Sequence, residues 1–228
     1  MHWGSNLPCP KPTTIFHITA IDNLPSIAST TLLSKNQVGL KAIKFADIAF
    51  PTVQGHRSLK VVPVLPGGNL HDYVPFHFGP RSPMLKTIDS GNVPGCTYKQ
   101  DDIVHLVTTV EAIEAAGLAS VFTNYHAVKA FAEFFTDRKD LEKIDWELFF
   151  EQPQLAGYCR YWHNPYSKPR YALRMETRQA EFLVRDSVPL AALGQIAVRT
   201  ESMAERARTA LKNTGWNPEI KIVPGWYY

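Results

Sequence analysis

The residues whose types and spacing suit chemistry sit in short runs that read as strands. In TRQAEFLV (177–184), Glu181 stands immediately before the apolar run Phe182-Leu183-Val184. Glutamate is depleted in strands and is seldom fully buried unless paired, so its placement calls for a partner or a task. Side chains alternate faces along a strand, which puts Gln179, Glu181 and Leu183 on one side of this run. In TIFHITA (14–20), Ile15, His17 and Thr19 share a face opposite Phe16 and Ile18. In HDYVPFHF (71–78), His71, Tyr73, Pro75 and His77 lie opposite Asp72, Val74, Phe76 and Phe78. Three strands thus each carry one apolar face and one face of hydrogen-bonding residues. Such faces could line a common cleft, or each could meet water as in any one-sided sheet.

A second constellation is YCRYWHNPYSKPRY (158–171), which interleaves Tyr158, Tyr161, Trp162 and Tyr171 with Arg160, Lys168 and Arg170. Rings stack on unpaired bases and cations track phosphates, so the run suits single-stranded nucleic acid. It would serve equally as an amphipathic surface loop whose rings cover the core. Other signals carry less. Gly67-Gly68 matches neither phosphate-binding glycine pattern and reads as a turn before the strand. The eight histidines show no metal-ligand spacing, and no G-x-S-x-G elbow occurs.

The elements that must position these residues are interspersed without regular βαβ spacing. Strands are expected at 14–20, 71–78, 102–110, 119–124, 177–184, 195–200 and 219–223, with Pro75 pushing its strand toward an edge or a bulge. Helices are expected at 22–29 with Asp22 as N-cap, at 110–116 ending at Gly117, at 125–135, at 141–150 and at 201–212. The segment 31–68 has weak periodicity, which in a compact domain marks a functional or mobile stretch. The pattern reads as α+β, a mixed β-sheet with helices around it. The 228 residues, with 45% hydrophobic and 20% charged content, fit one globular domain with an irregular segment at 1–12. A net charge of +3 permits a polyanionic partner without demanding one. Three widely spaced cysteines form no disulfide framework, and no signal-peptide core or membrane span is visible, so a cytoplasmic protein is expected.

FHIT with IDNL, then PGGNLHDYVPFHFGPRSPML, VFTNYH, RQAEFLV and a terminal WYY together resemble the DarT family, over about 14–228. These are the DNA ADP-ribosyltransferase toxins of DarT–DarG toxin–antitoxin systems. The resemblance implies the ADP-ribosyltransferase fold and NAD as co-substrate with no metal. It implies modification of a base, typically thymine, in single-stranded DNA, and a macrodomain antitoxin that removes the mark. A monomer is expected.

Residue by residue, the resemblance makes Glu181 the catalytic carboxylate, able to hold a ribose hydroxyl and stabilise the oxocarbenium-like sugar as nicotinamide leaves. Gln179 resembles the glutamine of a Q-x-E pairing that faces the acceptor. His17 and Thr19 match the NAD-anchoring strand, and Arg81 matches an arginine near the diphosphate or nicotinamide end. His77 stands where the family commonly has a tyrosine, with Tyr73 an alternative ring for the nicotinamide. VQGHRSLK aligns with a segment in which glutamine precedes an arginine pair, here His56-Arg57. The functional arginine is carried onto Arg57, whose charge would favour the deprotonated base. His56 is a candidate proton acceptor, and His126 matches a histidine of the DNA-side pocket. Arg160, Tyr161, Trp162 and Arg170 are the expected DNA contacts of the aromatic-basic loop. Two other readings remain open: transfer to RNA, another base or water, and a non-catalytic single-strand-binding domain.

Overall fold

The computed structural model describes residues 7–163 and 168–228. Residues 1–6 of the expected irregular N-terminus and 164–167 of the aromatic-basic loop lie outside the described residues. Residues 7–12 form no helix or strand. In chain order the strands are β1 (Thr14–Ala20), β2 (Leu32–Leu33), β3 (Tyr73–His77), β4 (Ile103–Thr109), β5 (Ser120–Thr123), β6 (Phe134–Phe135), β7 (Gln154–Leu155), β8 (Tyr158–Cys159), β9 (Glu181–Arg185), β10 (Ser187–Val188), β11 (Gln195–Val198) and β12 (Glu219–Ile222). The α-helices are α1 (Leu24–Thr30), α2 (Lys35–Leu40), α3 (Pro51–Leu59), α4 (Pro83–Asp89), α5 (Val110–Ala115), α6 (Trp146–Phe150), α7 (Arg174–Thr177) and α8 (Glu201–Leu211).

One eight-stranded sheet, in the order β12-β11-β4-β1-β3-β9-β5-β6, organises the chain. It is mixed: β11 and β12 run parallel, and the other neighbours are antiparallel. β1 pairs with β4 along its whole length, from Thr14–Thr109 to Ala20–Ile103. On its other side it meets β3 only at Phe16–His77. The sheet is therefore open along the β1–β3 seam, while β3 and β9 zip fully from Tyr73–Arg185 to His77–Glu181.

This seam corrects the expectation for Pro75, which lies in an interior strand rather than at an edge. A proline is excluded from central strands because it cannot donate to a ladder. Here β1 asks no such bond of it, and the Pro75 carbonyl instead accepts from His17 Nδ1 at 2.8 Å.

Helix ends follow local chemistry. Thr109 caps α5 by accepting from the Ala112 amide, and Thr200 caps α8 by accepting from that of Met203. Along α8 the buried residues Met203, Ala204, Ala207 and Leu211 make one stripe. Gly68, at φ +85°, makes the tight turn before β3; a Cβ there would lie 2.2 Å from Asp72 Oδ2.

Several expectations are corrected. The expected helix at 22–29 is a 3-10 turn (Ile21–Asn23) followed by α1, and Asp22 lies inside that turn rather than capping a helix. The segment 31–68 contains α2 and α3, short helices whose periodicity is diluted by the loop between them. No helix forms at 125–135, where a loop leads into β6, and 141–150 divides into a 3-10 helix (Arg138–Lys143) and α6. The strand around Glu181 begins at Glu181 itself, because α7 occupies 174–177 and Gln179 lies in the turn between them.

Phe182 packs at the centre of the core, edge-on to Phe78 with ring centroids 6.4 Å apart and stacked on Phe122 at 6.3 Å. Truncating a buried phenylalanine removes contacts the surroundings refill only in part. Phe182→Ala is expected to cost about 3–5 kcal/mol in urea-induced unfolding. A loss below about 1 kcal/mol would contradict this packing.

Candidate active site

The open seam continues into a cleft of about 500 Å³, inside the range of small-molecule sites. Its walls come from distant parts of the chain: β1, the segment 43–50, α3, β3, the loop after β5, and the turn before β9. They bring together His17, Thr19, Arg57, Tyr73, His77, His126, Gln179 and Glu181. The three polar strand faces thus do meet in one cleft.

Glu181 is the first residue of β9, and its side chain is 1% exposed. Arg57 reaches it from α3, with Nη1 2.7 Å from Oε2 and 3.0 Å from Oε1. The Ala127 amide donates to Oε1 at 3.1 Å. The Glu181 amide donates to Thr123 Oγ1, fixing the backbone as well. His126 Nε2 stands 3.7 Å from Oε1. Burial pushes the Glu181 carboxyl up, but Arg57, His126 and His77 more than reverse that, and the net shift is downward. The carboxylate is therefore charged and held, with little solvent around it. Arg57 Nη2 is buried and has no hydrogen-bond partner. A buried donor without a partner is costly, so this atom has an unused capacity to bond an acceptor.

Burial works oppositely on the histidines. It lowers His17 to about 4 against the pull of the Pro75 carbonyl, lowers His77 to about 4 against the pull of Glu181, and lowers His126 as well. Because the Pro75 carbonyl can only accept, His17 Nδ1 carries the proton. Neutral His17 then presents Nε2 as an acceptor, which fits a ribose hydroxyl. His77 Nδ1 is buried without a hydrogen-bond partner and lines the same cleft. Thr19 Oγ1 accepts from Asn23 Nδ2 at 3.0 Å. The same Asn23 amide pins the segment 43–50 by donating to the Ala46 carbonyl and accepting from its amide at 2.7 Å.

Tyr73 forms part of the cleft floor. Its ring is buried with Val62, Leu70, Val121 and Leu183, and its hydroxyl donates to the Gly67 carbonyl at 2.6 Å. That tethering leaves it no freedom to stack on a ligand, a correction to its expected alternative role.

Other expected residues are not brought to the cleft wall. Arg81 is buried under the Tyr228 ring, 4.6 Å from its centroid, outside the cleft lining. His56 is exposed on α3 and turned away from the cleft that Arg57 enters. His56 is a correction, because sequence neighbours in a helix point in different directions, whereas Arg81 keeps Nε and Nη1 buried without a hydrogen-bond partner. Arg160 lies over the Tyr161 ring at 5.9 Å, and Trp162 packs beside His163. Arg170 is held by Asp145 at 3.0 Å and Glu147 at 2.5 Å, so its charge is already matched, against its expected use on a phosphate. Among the described residues no group of metal-ligating side chains comes together.

Asn23, Gln54 and Arg178 escaped the sequence reading as site candidates. Asn23 gives no local signal beyond its spacing from Thr19. Gln54 and His71 line the cleft and bond each other at 3.0 Å, tying α3 to the entry of β3. Buried Arg178 donates through Nη1 to the carbonyls of Leu148 (2.9 Å) and Tyr161 (3.2 Å), stapling α6 to the aromatic-basic loop.

A family model described as "ssDNA thymidine ADP-ribosyltransferase, DarT" matches residues 16–228. The chain belongs to the DarT family. It is 41% identical over 224 residues to a DNA ADP-ribosyl transferase of Thermus sp. (strain 2.9), covering 96% of this chain and 98% of that one. Its structure superposes on Thermus sp. 2.9 DarT in complex with ADP-ribosylated ssDNA with a TM-score of 0.85 at 39% identity, over 97% of this chain and 99% of the other. The match to the same Thermus protein in complex with NAD+ has a TM-score of 0.81 at 38% identity, over 97% and 100%. The α+β architecture is thus the ADP-ribosyltransferase fold of DarT, and this DarT chain is a DNA ADP-ribosyltransferase by family.

The buried histidines set a pH dependence of stability. His17, His77 and His105 titrate near about 4 in the folded chain but at about 6.5 once unfolded. Between these values the unfolded state binds more protons, so stability falls as pH falls. The thermal midpoint is expected to drop steadily from pH 6.5 toward pH 4. A midpoint that stays flat across that window, followed by circular dichroism, would show these rings to be solvated.

Proposed function

We propose that this DarT chain transfers ADP-ribose from NAD to a thymine base of single-stranded DNA, with Glu181 and Arg57 as the catalytic pair. The reading is carried by one observation above others: a charged carboxylate and a guanidinium bonded to each other at the buried end of a cleft of about 500 Å³. The dinucleotide would enter along the β1–β3 seam. His17 Nε2 would accept from a ribose hydroxyl, with Thr19 and Asn23 shaping that end and His77 against the nicotinamide.

In the reaction the bond from ribose C1′ to the nicotinamide nitrogen breaks, and the electron pair leaves with nicotinamide. Glu181 holds the ribose 2′-hydroxyl and stabilises the positive charge developing on the ring. A bond then forms from C1′ to thymine N3, which must lose its proton. Arg57 keeps Nη1 on Glu181 and offers its free Nη2 to the anionic base. The cleft places neutral His126, rather than exposed His56, beside the carboxylate, and His126 is the candidate for that proton. The imidazolium formed would be stabilised by Glu181. Gln179 faces the acceptor side, and Arg160, Tyr161 and Trp162 hold the strand. The proposal extends to a toxin acting as a cytoplasmic monomer, held in check by a DarG-like macrodomain antitoxin that removes the mark. Among the described residues no helix is long and apolar enough to cross a membrane.

Oligonucleotides with a single thymidine, incubated with NAD and weighed by mass spectrometry, test the reading. Single strands should gain one ADP-ribose, and the same strand annealed to its complement should gain little, because pairing hides N3 and flipping costs a few kcal/mol. Equal yields on both forms would overturn the single-strand assignment.

Variants divide the roles. Glu181→Gln and Arg57→Ala should each abolish transfer while calorimetry still detects NAD binding. Full activity in either would remove that residue from the mechanism. His17→Ala should weaken NAD binding roughly 10- to 100-fold, about 1.5–3 kcal/mol for a lost buried hydrogen bond. An unchanged dissociation constant would make His17 a purely structural histidine.

A further inference from the structure

The loop 124–133, between β5 and β6, wraps the buried end of the cleft and supplies two groups to Glu181. The Ala127 amide bonds Oε1 at 3.1 Å, and the His126 ring stands 3.7 Å from the same oxygen. A loop of this kind holds such groups only if its own ends are fixed. Asn124, buried at the end of β5, closes it: its Nδ2 donates to Glu133 Oε2 at 2.7 Å, and its Oδ1 accepts from the Glu133 amide at 3.1 Å. Asn124 is thus satisfied on both sides of its carboxamide by the far end of the same loop. The middle is fixed by the His126 amide on the Glu176 carbonyl at 2.9 Å, and by Lys60 Nζ on the Lys129 carbonyl at 3.1 Å. Lys60 immediately follows α3, which carries Arg57. One closed loop therefore ties the arginine helix, the imidazole and the carboxylate into a single arrangement.

We propose that Asn124 is a positioning residue for ADP-ribosyl transfer: by closing the loop through Glu133 it holds the Ala127 amide and His126 at Glu181. Asn124 touches neither substrate nor the reacting atoms. Its effect runs through the orientation of the carboxylate, which must meet the ribose in the transition state more closely than in the bound ground state. Loosening the loop should therefore lower turnover far more than NAD affinity. The inference rests on Glu181 being the catalytic carboxylate.

The test compares Asn124→Ala with the exchange variant Asn124→Asp/Glu133→Gln. In the exchange variant the carboxylate and carboxamide trade places, and both bonds survive with one reversed in direction. Asn124→Ala is expected to lower kcat on a single-stranded thymidine oligonucleotide at least 10-fold, with KM for NAD changed less than 3-fold. The exchange variant is expected to recover to within about 3-fold of the parent chain. A ¹³C NMR titration of the Glu181 carboxyl reads the clamp without any turnover, and Asn124→Ala should move it upward as the Ala127 bond weakens. An unchanged kcat, an unchanged Glu181 titration, or a KM for NAD that worsens by the same factor as kcat each overturns the proposal, as does failure of the exchange variant to recover. Wild-type transfer by Glu181→Gln is a separate result. It would remove the catalytic assignment, while the titration would still decide whether the loop holds the carboxylate.

Discussion

The buried ion pair between Arg57 and Glu181 is the interaction on which the rest of the site depends. Its partners lie 124 residues apart in sequence, and their side chains are 8% and 1% exposed. Taking either charge out of water alone costs several kcal/mol, so each is tolerable only because the other is there. Removing one partner from such a pair typically costs about 3–5 kcal/mol. The pair thus locks α3 to the start of β9. It also keeps a carboxylate ionised in a buried site beside a guanidinium whose Nη2 has no hydrogen-bond partner, which is what the proposed reaction draws on.

The second constraint is the open β1–β3 seam. Full pairing of these strands would close this part of the cleft. Pro75 has no amide donor to offer a ladder, and the two strands pair at a single residue pair, so the sheet parts at this residue. His17 bridges the gap by donating to the Pro75 carbonyl, and that bond fixes which of its nitrogens is left to accept. The same burial that forms the cleft keeps His17 and His77 neutral. Proline, tautomer and titration are consequences of one geometric choice.

The segment leading into Glu181 is anchored by charge as well. Arg174 pairs with Glu151, Arg170 with Asp145 and Glu147, and Arg178 with the carbonyls beneath the aromatic-basic loop. Much of the positive charge near this loop is therefore spent on internal structure. Among the described residues of the loop, Arg160 and Lys168 carry no ion pair, and the proposed contact with a few unstacked nucleotides would rest on them and the neighbouring rings.

The α+β class, the approximate positions of β1, β3, β4, β5, β11, β12 and α8, and the stop at Gly117 follow from alternation, propensity and punctuation, and they were legible in the chain. So was the grouping of His17, Thr19, His77 and Glu181 on polar strand faces, because a period of two is a local property. The helix expected at 125–135 failed for a physical reason. Its residues have adequate helical pattern, but Asn124, Ala127 and Glu133 make more favourable bonds to each other and to Glu181 as a loop. Arg81, His56 and Arg170 were named for their charge. Whether a charge is free, buried or matched depends on what packs against it, and no window of sequence contains that. The sequence by itself determined which residues could do the chemistry. Only the tertiary structure decided that Arg57 meets Glu181, that the histidines beside them are neutral, and that Asn23 and Gln54 line the cleft. Each of these depends on burial and on contacts that the fold makes between separate elements, and burial is a property of the folded chain alone.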